Sequence, residues 1–260
     1  MANPPGSFIW YELMTEDVDA AARFYGAVIG WTVRDSGMGG DNPYHLLSAD
    51  GVDVGGLMRI PAEAKAAGMK PCWLGYVGVE NVDAAVDKAK GEGASVHVPP
   101  TDIPNVGRFA MIADPQGAAI YVMQGASDED SHAFDQTKAG HGNWHELHAK
   151  DWEKAFDFYA RQFGWTRGDA LDMGAMGTYQ LIAQGETTIG GMMNSPNFPR
   201  PMWLYYFGVG SIDEAVTRIT DNGGSILFGP SEVPGGALIV QATDPQGALF
   251  ALVGPARAAA

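Results

Sequence analysis

Trp10-Tyr11-Glu12-Leu13, then Asp17, Phe24-Tyr25 and Gly30-Trp31, returns as Trp144-His145-Glu146-Leu147, then Asp151, Phe158-Tyr159 and Gly164-Trp165. Each residue stands 134 positions from its copy, and nine of the 22 positions from Trp10 to Trp31 are identical. A spacing held over so many positions marks an internal duplication. Later landmarks continue it. Tyr179 and Gly190-Gly191 answer Tyr44 and Gly55-Gly56, 135 apart; Pro201, Trp203, Asp213 and Asp244-Pro245-Gln246-Gly247 answer Pro71, Trp73, Asp83 and Asp114-Pro115-Gln116-Gly117, 130 apart.

In 260 residues, two copies make two domains of about 130 residues each, a common domain size. The boundaries fall at 1–125 and 143–260, with 126–142 a polar linker that is acidic at Asp128, Glu129 and Asp130. Each copy reads as strand, helix and three strands, performed twice. In the first, Phe8–Met14 alternates as a strand, and Asp17 caps a helix with Val18, Ala21, Ala22, Tyr25, Val28 and Ile29 on one face. Strands at 31–34, 44–48 and 52–58 follow, and 59–70 is a polar connection with some helical propensity. The second round has a strand at 72–79, a helix capped by Asn81, and strands at 95–98, 108–113 and 118–123. Asp-Pro-Gln-Gly is placed as the turn between the last two. Ser211 and Glu214 form an S-x-x-E capping box.

A formal net charge of −15 makes nucleic acid and anionic membranes poor partners. No apolar run is long enough to span a bilayer. The first residues lack a basic region followed by an apolar one, so no signal peptide is expected. The single cysteine, Cys72, excludes an internal disulfide and fits a reducing, cytoplasmic setting; burial is its expected fate. A monomer or homodimer with a small-molecule ligand is expected.

The W-x-E-L…D…FY…GW block, the D-P-Q-G turn and the four βαβββ units together resemble the vicinal oxygen chelate superfamily of glyoxalases, bleomycin-resistance proteins and extradiol dioxygenases. The resemblance runs from about Phe8 to Val253, and within the superfamily it is to two-domain bacterial glyoxalase-like proteins. It implies an α+β fold of tandem glyoxalase-like domains, each two paired βαβββ units curling around a concave pocket. It also implies four metal-ligand positions per domain. They correspond to Trp10, the vicinity of Gly56, the vicinity of Leu74, and Tyr121, and to Trp144, Gly191, Leu204 and Ala251. None is His, Glu, Asp, Gln or Cys, the donors a divalent metal needs. The family's metal chemistry is therefore not carried over, and no cofactor is expected.

Alternation turns Glu12 to the side of Trp10, and Glu146 and His148 to the side of Trp144. These residues, with Arg108 and Tyr121, are the candidate ligand-binding set. Glu12 and Glu146 are the candidate catalytic acids. Each is read either as a structural, hydrogen-bonded carboxyl or as a ligand anchor or general base; Arg108 is a candidate partner for Glu12. Glu146 with His148 supplies only two metal donors. His45, His97, His141 and His145 read as solvated or satisfied core histidines, with a hydrogen-bonding site role left open for His45. Most aromatics read as core, except Trp10 and Trp144, which offer a stacking floor. Domain two is expected to be the more apolar at the wall where Leu238 and Ala251 replace Arg108 and Tyr121, with His148 its distinctive polar group. Three functions compete: a metal-free binder of a small, mainly apolar or aromatic molecule; a lyase or isomerase of the glyoxalase kind, metal-dependent at a non-standard site or using Glu12 or Glu146 as base; and a partner-binding protein.

Overall fold

The computed structural model describes residues 3–38, 40–196 and 198–257. Four βαβββ modules follow one another. The first is β1 (Phe8–Thr15), α1 (Val18–Val28), β2 (Thr32–Met38), β3 (Tyr44–Ala49) and β4 (Val52–Arg59), followed by the short helix α2 (Ala62–Ala66). The second is β5 (Cys72–Gly78), α3 (Val82–Gly91), β6 (Ser95–Ile103), β7 (Gly107–Ala113) and β8 (Ala119–Gly125). The third is β9 (Gly142–Ala149), α4 (Trp152–Phe163), β10 (Thr166–Asp172), β11 (Thr178–Gln184) and β12 (Thr187–Asn194). The fourth is β13 (Met202–Gly208), α5 (Ile212–Asp221), β14 (Ser225–Glu232), β15 (Leu238–Thr243) and β16 (Leu249–Gly254). The strands belong to two eight-stranded sheets, β1–β8 and β9–β16, so the fold is α+β and duplicated, as the sequence pattern implies. No helix among the described residues is long and apolar enough to cross a membrane.

In every module the last three strands form an antiparallel meander, and its final strand returns to lie parallel to the first. That return fixes the register of the first strand against the last: Glu12 lies beside Gly56, and Glu146 beside Gly191. The four long helices start as their sequences dictate. The side chains of Asp17, Asn81, Asp151 and Ser211 accept from the backbone N–H three residues on, each cap contributing about 1 kcal/mol. The capping box of α5 is only half made, because the Glu214 carboxylate turns to Arg218 at 3.0 Å. The strand read at 95–98 extends to Ile103 through Pro99-Pro100. β6 is an edge strand and its register slips between Val98 and Thr101, so the missing proline N–H groups cost no ladder bond.

By its contacts the chain forms two compact units, each gathering one module from either half. One holds 74–131 and 144–204 with the N-terminal residues through Ile9. The other holds Trp10–Trp73, His132–Asn143 and the chain from Tyr205 onward. The residues between the repeats are tied down. In the first unit Ser131 Oγ donates to Ile9 O at 2.5 Å. In the second, Gly140 N donates to Gly208 O at 2.8 Å and Gly208 N to His141 O at 3.0 Å, while the Trp31 indole donates to Gly140 O at 2.7 Å.

The repeated landmarks turn out to be one staple, built once in each unit. In the first, Trp203 Nε1 donates to Tyr159 Oη at 3.0 Å, and Tyr159 Oη donates to Asp114 Oδ2 at 3.1 Å. Asp114 Oδ1 closes its turn by accepting from the N–H groups of Gln116, Gly117 and Ala118. Gln116 then clamps the start of α4, accepting from Lys150 N and Asp151 N at 2.9 Å and donating to Asp151 O at 2.7 Å. In the second unit Trp73, Tyr25, Asp244 and Gln246 do the same, the last at Glu16 and Asp17. Burial raises the pKa of both aspartates against the pull of these donors. Aromatic cores surround the staples: Trp165 and Trp203 beside Tyr159, and Trp31, Trp73 and Phe250 beside Tyr25.

Candidate functional site

Register decides which residues share a face. In β9 the alternate residues Trp144, Glu146 and His148 point together. Parallel pairing sets Glu146 and His148 beside Gly191 and Met193 of β12. Antiparallel pairing then brings Leu181 and Tyr179 of β11 to the same face. The first copy aligns Trp10, Glu12 and Met14 with Gly56 and Met58, and Leu46 beside Gly56 places Tyr44 on that face too. The two faces match position for position, except that His148 stands where Met14 does.

A tyrosine lies over a glycine on each. A Cβ on Gly56 would run into the Tyr44 ring, and one on Gly191 into the Tyr179 ring. Only glycine lets the phenol lie flat on the strand. The indole N–H then reaches it: Trp10 Nε1 donates to Tyr44 Oη, and Trp144 Nε1 to Tyr179 Oη, both at 2.8 Å. Beside these pairs the acids are buried, Glu12 to 3% exposure and Glu146 to 7%. Tyr179 Oη donates to Glu146 Oε2 at 2.9 Å. Glu146 Oε1 lies 2.8 Å from His148 Nε2, and His148 Nδ1 lies 2.6 Å from Ser195 Oγ. Phe198 stacks on the His148 ring, centroids 3.9 Å apart. The second copy thus carries the hydrogen-bonded run Trp144–Tyr179–Glu146 and the pair His148–Ser195, which meet in the 2.8 Å contact of Glu146 Oε1 with His148 Nε2.

The remaining sequence candidates are placed as follows. Arg108 directs its guanidinium to Asp83 of α3 and Asp102 of β6, at 2.7 and 2.8 Å. This pairing raises the Arg108 pKa and lowers that of Asp83. Tyr121 is buried and stacks on Tyr76 at 4.2 Å. At the equivalent place Tyr206 lies beside Ala251 and accepts from Gln241 Nε2 at 2.9 Å, so a glutamine supplies polarity where the other repeat has Met111. His141 and His145 are buried, with Nδ1 of each 2.6 Å from a backbone carbonyl, of His132 and Ile189 respectively. Burial drives the His145 pKa down to about 3, and Phe8 stacks on its ring at 3.6 Å. His97 is exposed and His45 half-buried; His45 borders a shallow groove of about 190 Å³ with Asp17, Asn42 and Arg59.

Sequence reasoning did not single out Tyr44, Tyr179, Ser195 or Phe198. For the tyrosines a signal was present, since Tyr and Gly-Gly recur at one common offset. For Ser195 there was none, because its counterpart is Ile60. The equivalence shows only in the backbone: Ser195 N donates to Ala149 O as Ile60 N donates to Thr15 O.

A family model described as Glyoxalase/Bleomycin resistance protein/Dioxygenase superfamily matches residues 7–122 and 141–252. The chain is 32% identical over 249 residues to "Putative glyoxylase CFP32" of Mycobacterium bovis, covering 95% of this chain and 94% of that one. It is 30% identical over 264 residues to "Anthracycline biosynthesis protein DnrV" of Streptomyces peucetius, covering 96% and 93%. Among solved structures, the Mn(II)-bound glyoxalase from Novosphingobium aromaticivorans superposes with a TM-score of 0.64 at 16% identity, over 98% of this chain and 84% of that one. A 2,3-dioxygenase, LapB from Pseudomonas sp. KL28, gives 0.64 at 10% identity, over 99% and 93%. At such identities these two speak for the fold.

The residues here do not fit a metal of that kind. Trp10 and Trp144 hold their indoles on the tyrosines, the Gly56 and Gly191 positions are covered by phenol rings, and Leu74, Leu204 and Ala251 have no donor atom. Among the described residues no group of three or more His, Cys, Asp or Glu is placed to hold a metal.

Proposed function

The chain belongs to the glyoxalase/bleomycin resistance protein/dioxygenase superfamily, and from that premise we propose that it binds a small, flat, mainly apolar or aromatic molecule without a divalent metal. The observation that carries this reading is the replacement of metal donors by a tryptophan–tyrosine pair, the phenol lying over glycine, on both repeated faces. Indole and phenol rings offer stacking area with a polar rim, and a buried carboxyl beside them gives a ligand one point of orientation. A relative named for anthracycline biosynthesis is in keeping with a planar aromatic ligand. A thermal-shift screen of planar aromatics, run on protein whose metal content has been measured, tests it. Stabilisation by such compounds with no bound transition metal is expected. About one Zn, Ni, Mn or Fe per repeat after purification without added metal overturns the metal-free reading.

A second reading has its own observation. Glu146 is buried with Tyr179 on one oxygen and His148 on the other, an environment suited to a general base in a lyase or isomerase reaction of the glyoxalase type. It predicts that Glu146→Gln keeps ligand-induced stabilisation and loses turnover. Loss of both together assigns Glu146 to binding.

A further inference from the structure

The array on the second face ends on a hydroxyl. Ser195 Oγ, His148 and Glu146 follow one another at 2.6 and 2.8 Å, in the order nucleophile, base and acid. Burial is graded along it: Glu146 is 7% and His148 4% exposed, whereas Ser195 is only half-buried. The ring is held by the Phe198 stack, and Glu146 by the phenol of Tyr179. The duplication supplies a second observation. At the two equivalent positions the first copy has Met14 and Ile60, both buried and apolar. An apolar pair therefore satisfies packing at this place in one copy, where the other carries a histidine and a serine.

We propose that Ser195 is an activated nucleophile, with His148 its base and Glu146 the acid that orients and stabilises the imidazolium. Either ring nitrogen of histidine can take a proton; here Nδ1 faces the serine and Nε2 the carboxylate. The chemistry is acyl transfer from a small ester or thioester with an apolar or aromatic acyl group. Ser195 Oγ forms a bond to the acyl carbon as its proton passes to His148 Nδ1. The carbonyl–heteroatom bond breaks, and the leaving alkoxide or thiolate takes that proton. Water then attacks the acyl-serine, giving a proton to His148, and the carboxylic acid departs as the proton returns to Ser195 Oγ. The first copy, with methionine and isoleucine at these places, has no such chemistry.

This activity uses the face proposed above to bind a planar ligand, and the test separates the two. The full-length protein is incubated with a fluorophosphonate probe, and its intact mass and labelled peptide are measured. Attack forms an Oγ–P bond and releases fluoride. One adduct per chain on Ser195 is expected, absent in Ser195→Ala and formed at least about a hundredfold more slowly in His148→Met. Circular dichroism of both variants verifies that they fold. No adduct on Ser195 in the folded protein, or labelling equally fast in His148→Met, overturns the proposal. Quenching of tryptophan fluorescence by planar aromatics is recorded on the same samples. Quenching without labelling removes the acyl chemistry and leaves the binding reading; labelling without quenching does the reverse; absence of both removes both.

Discussion

The face built on Trp10, Glu12, Tyr44 and Gly56 and the face built on Trp144, Glu146, Tyr179 and Gly191 are the same device with different surroundings. Both lay a phenol over a glycine, hold it with an indole N–H and bury an acid alongside. They part at two positions. Met14 and Ile60 leave the first face apolar at these places; His148 and Ser195 set an imidazole and a hydroxyl beside the second acid. What is shared is the tryptophan–tyrosine pair over a glycine with a buried acid beside it. What differs is the imidazole and hydroxyl of the second face, and the duplication lets one chain be its own control.

The comparison first requires that the shared scaffold be equal in the two copies, and the staples test this with the largest effect. Asp114→Ala strands the Tyr159 hydroxyl and three turn N–H groups. It should lower stability by about 3 kcal/mol, at roughly 1 kcal/mol per lost bond less the relief from burying a carboxylate. Asp244→Ala should cost a similar amount. Urea unfolding gives both numbers, and a difference of more than about 2 kcal/mol between them breaks the symmetry.

The glycines under the tyrosines come next. Gly56→Ala and Gly191→Ala each force a methyl into a phenol ring and should cost about 2 kcal/mol, largely restored by Tyr44→Ala or Tyr179→Ala in the same chain. If the second substitution restores nothing, the ring is not what excludes the side chain.

A third effect belongs to one copy only. His145, where the first copy has Tyr11, has a folded pKa of about 3 because burial disfavours its charged form. An unfolded histidine takes a proton below about pH 6.5, so between pH 6.5 and 3 the unfolded state binds more protons than the native one. This contribution to stability is therefore complete above pH 6.5 and falls by up to about 1.4 kcal/mol per pH unit as the pH drops toward 3. His145→Phe should remove that slope from the stability–pH profile measured by denaturant melts. An unchanged slope assigns it to other groups.

The smallest effect is the most pointed. His148→Met with Ser195→Ile rebuilds the first face on the second. The double variant should lie within about 1 kcal/mol of the parent, while either single change costs more by leaving a polar partner behind. A double-mutant cycle with no coupling would separate the two residues and dissolve the array.

Those residues also mark where sequence reading stops. The duplication, the four βαβββ modules and the helix starts at Asp17, Asn81, Asp151 and Ser211 were legible because each depends on residues a few positions apart or on a repeated offset. So was the Asp-Pro-Gln-Gly turn. That its aspartate also takes a phenol from a helix 45 residues away was not, since that contact exists only once modules assemble. Arg108 read as a partner for a buried acid, but Asp83 and Asp102 hold it instead. Glu214 belongs to a capping box by pattern, yet its carboxylate pairs with Arg218 one turn on. The pairing of His148 with Ser195, 47 residues apart, rests on strand register and leaves no trace in local pattern.

The central claim is that indole and phenol have taken the place of a metal on these faces. It is tested most directly by titrating the protein with a planar aromatic compound while following tryptophan fluorescence, before and after exhaustive EDTA treatment, and again with Trp144→Leu. Quenching should be unchanged by EDTA and by added Mn(II), and the part of it that belongs to the second face should be weakened about tenfold or more by Trp144→Leu, since a stacked aromatic contact is worth on the order of 1.5 kcal/mol. Binding that disappears with EDTA and returns with Mn(II) would contradict it.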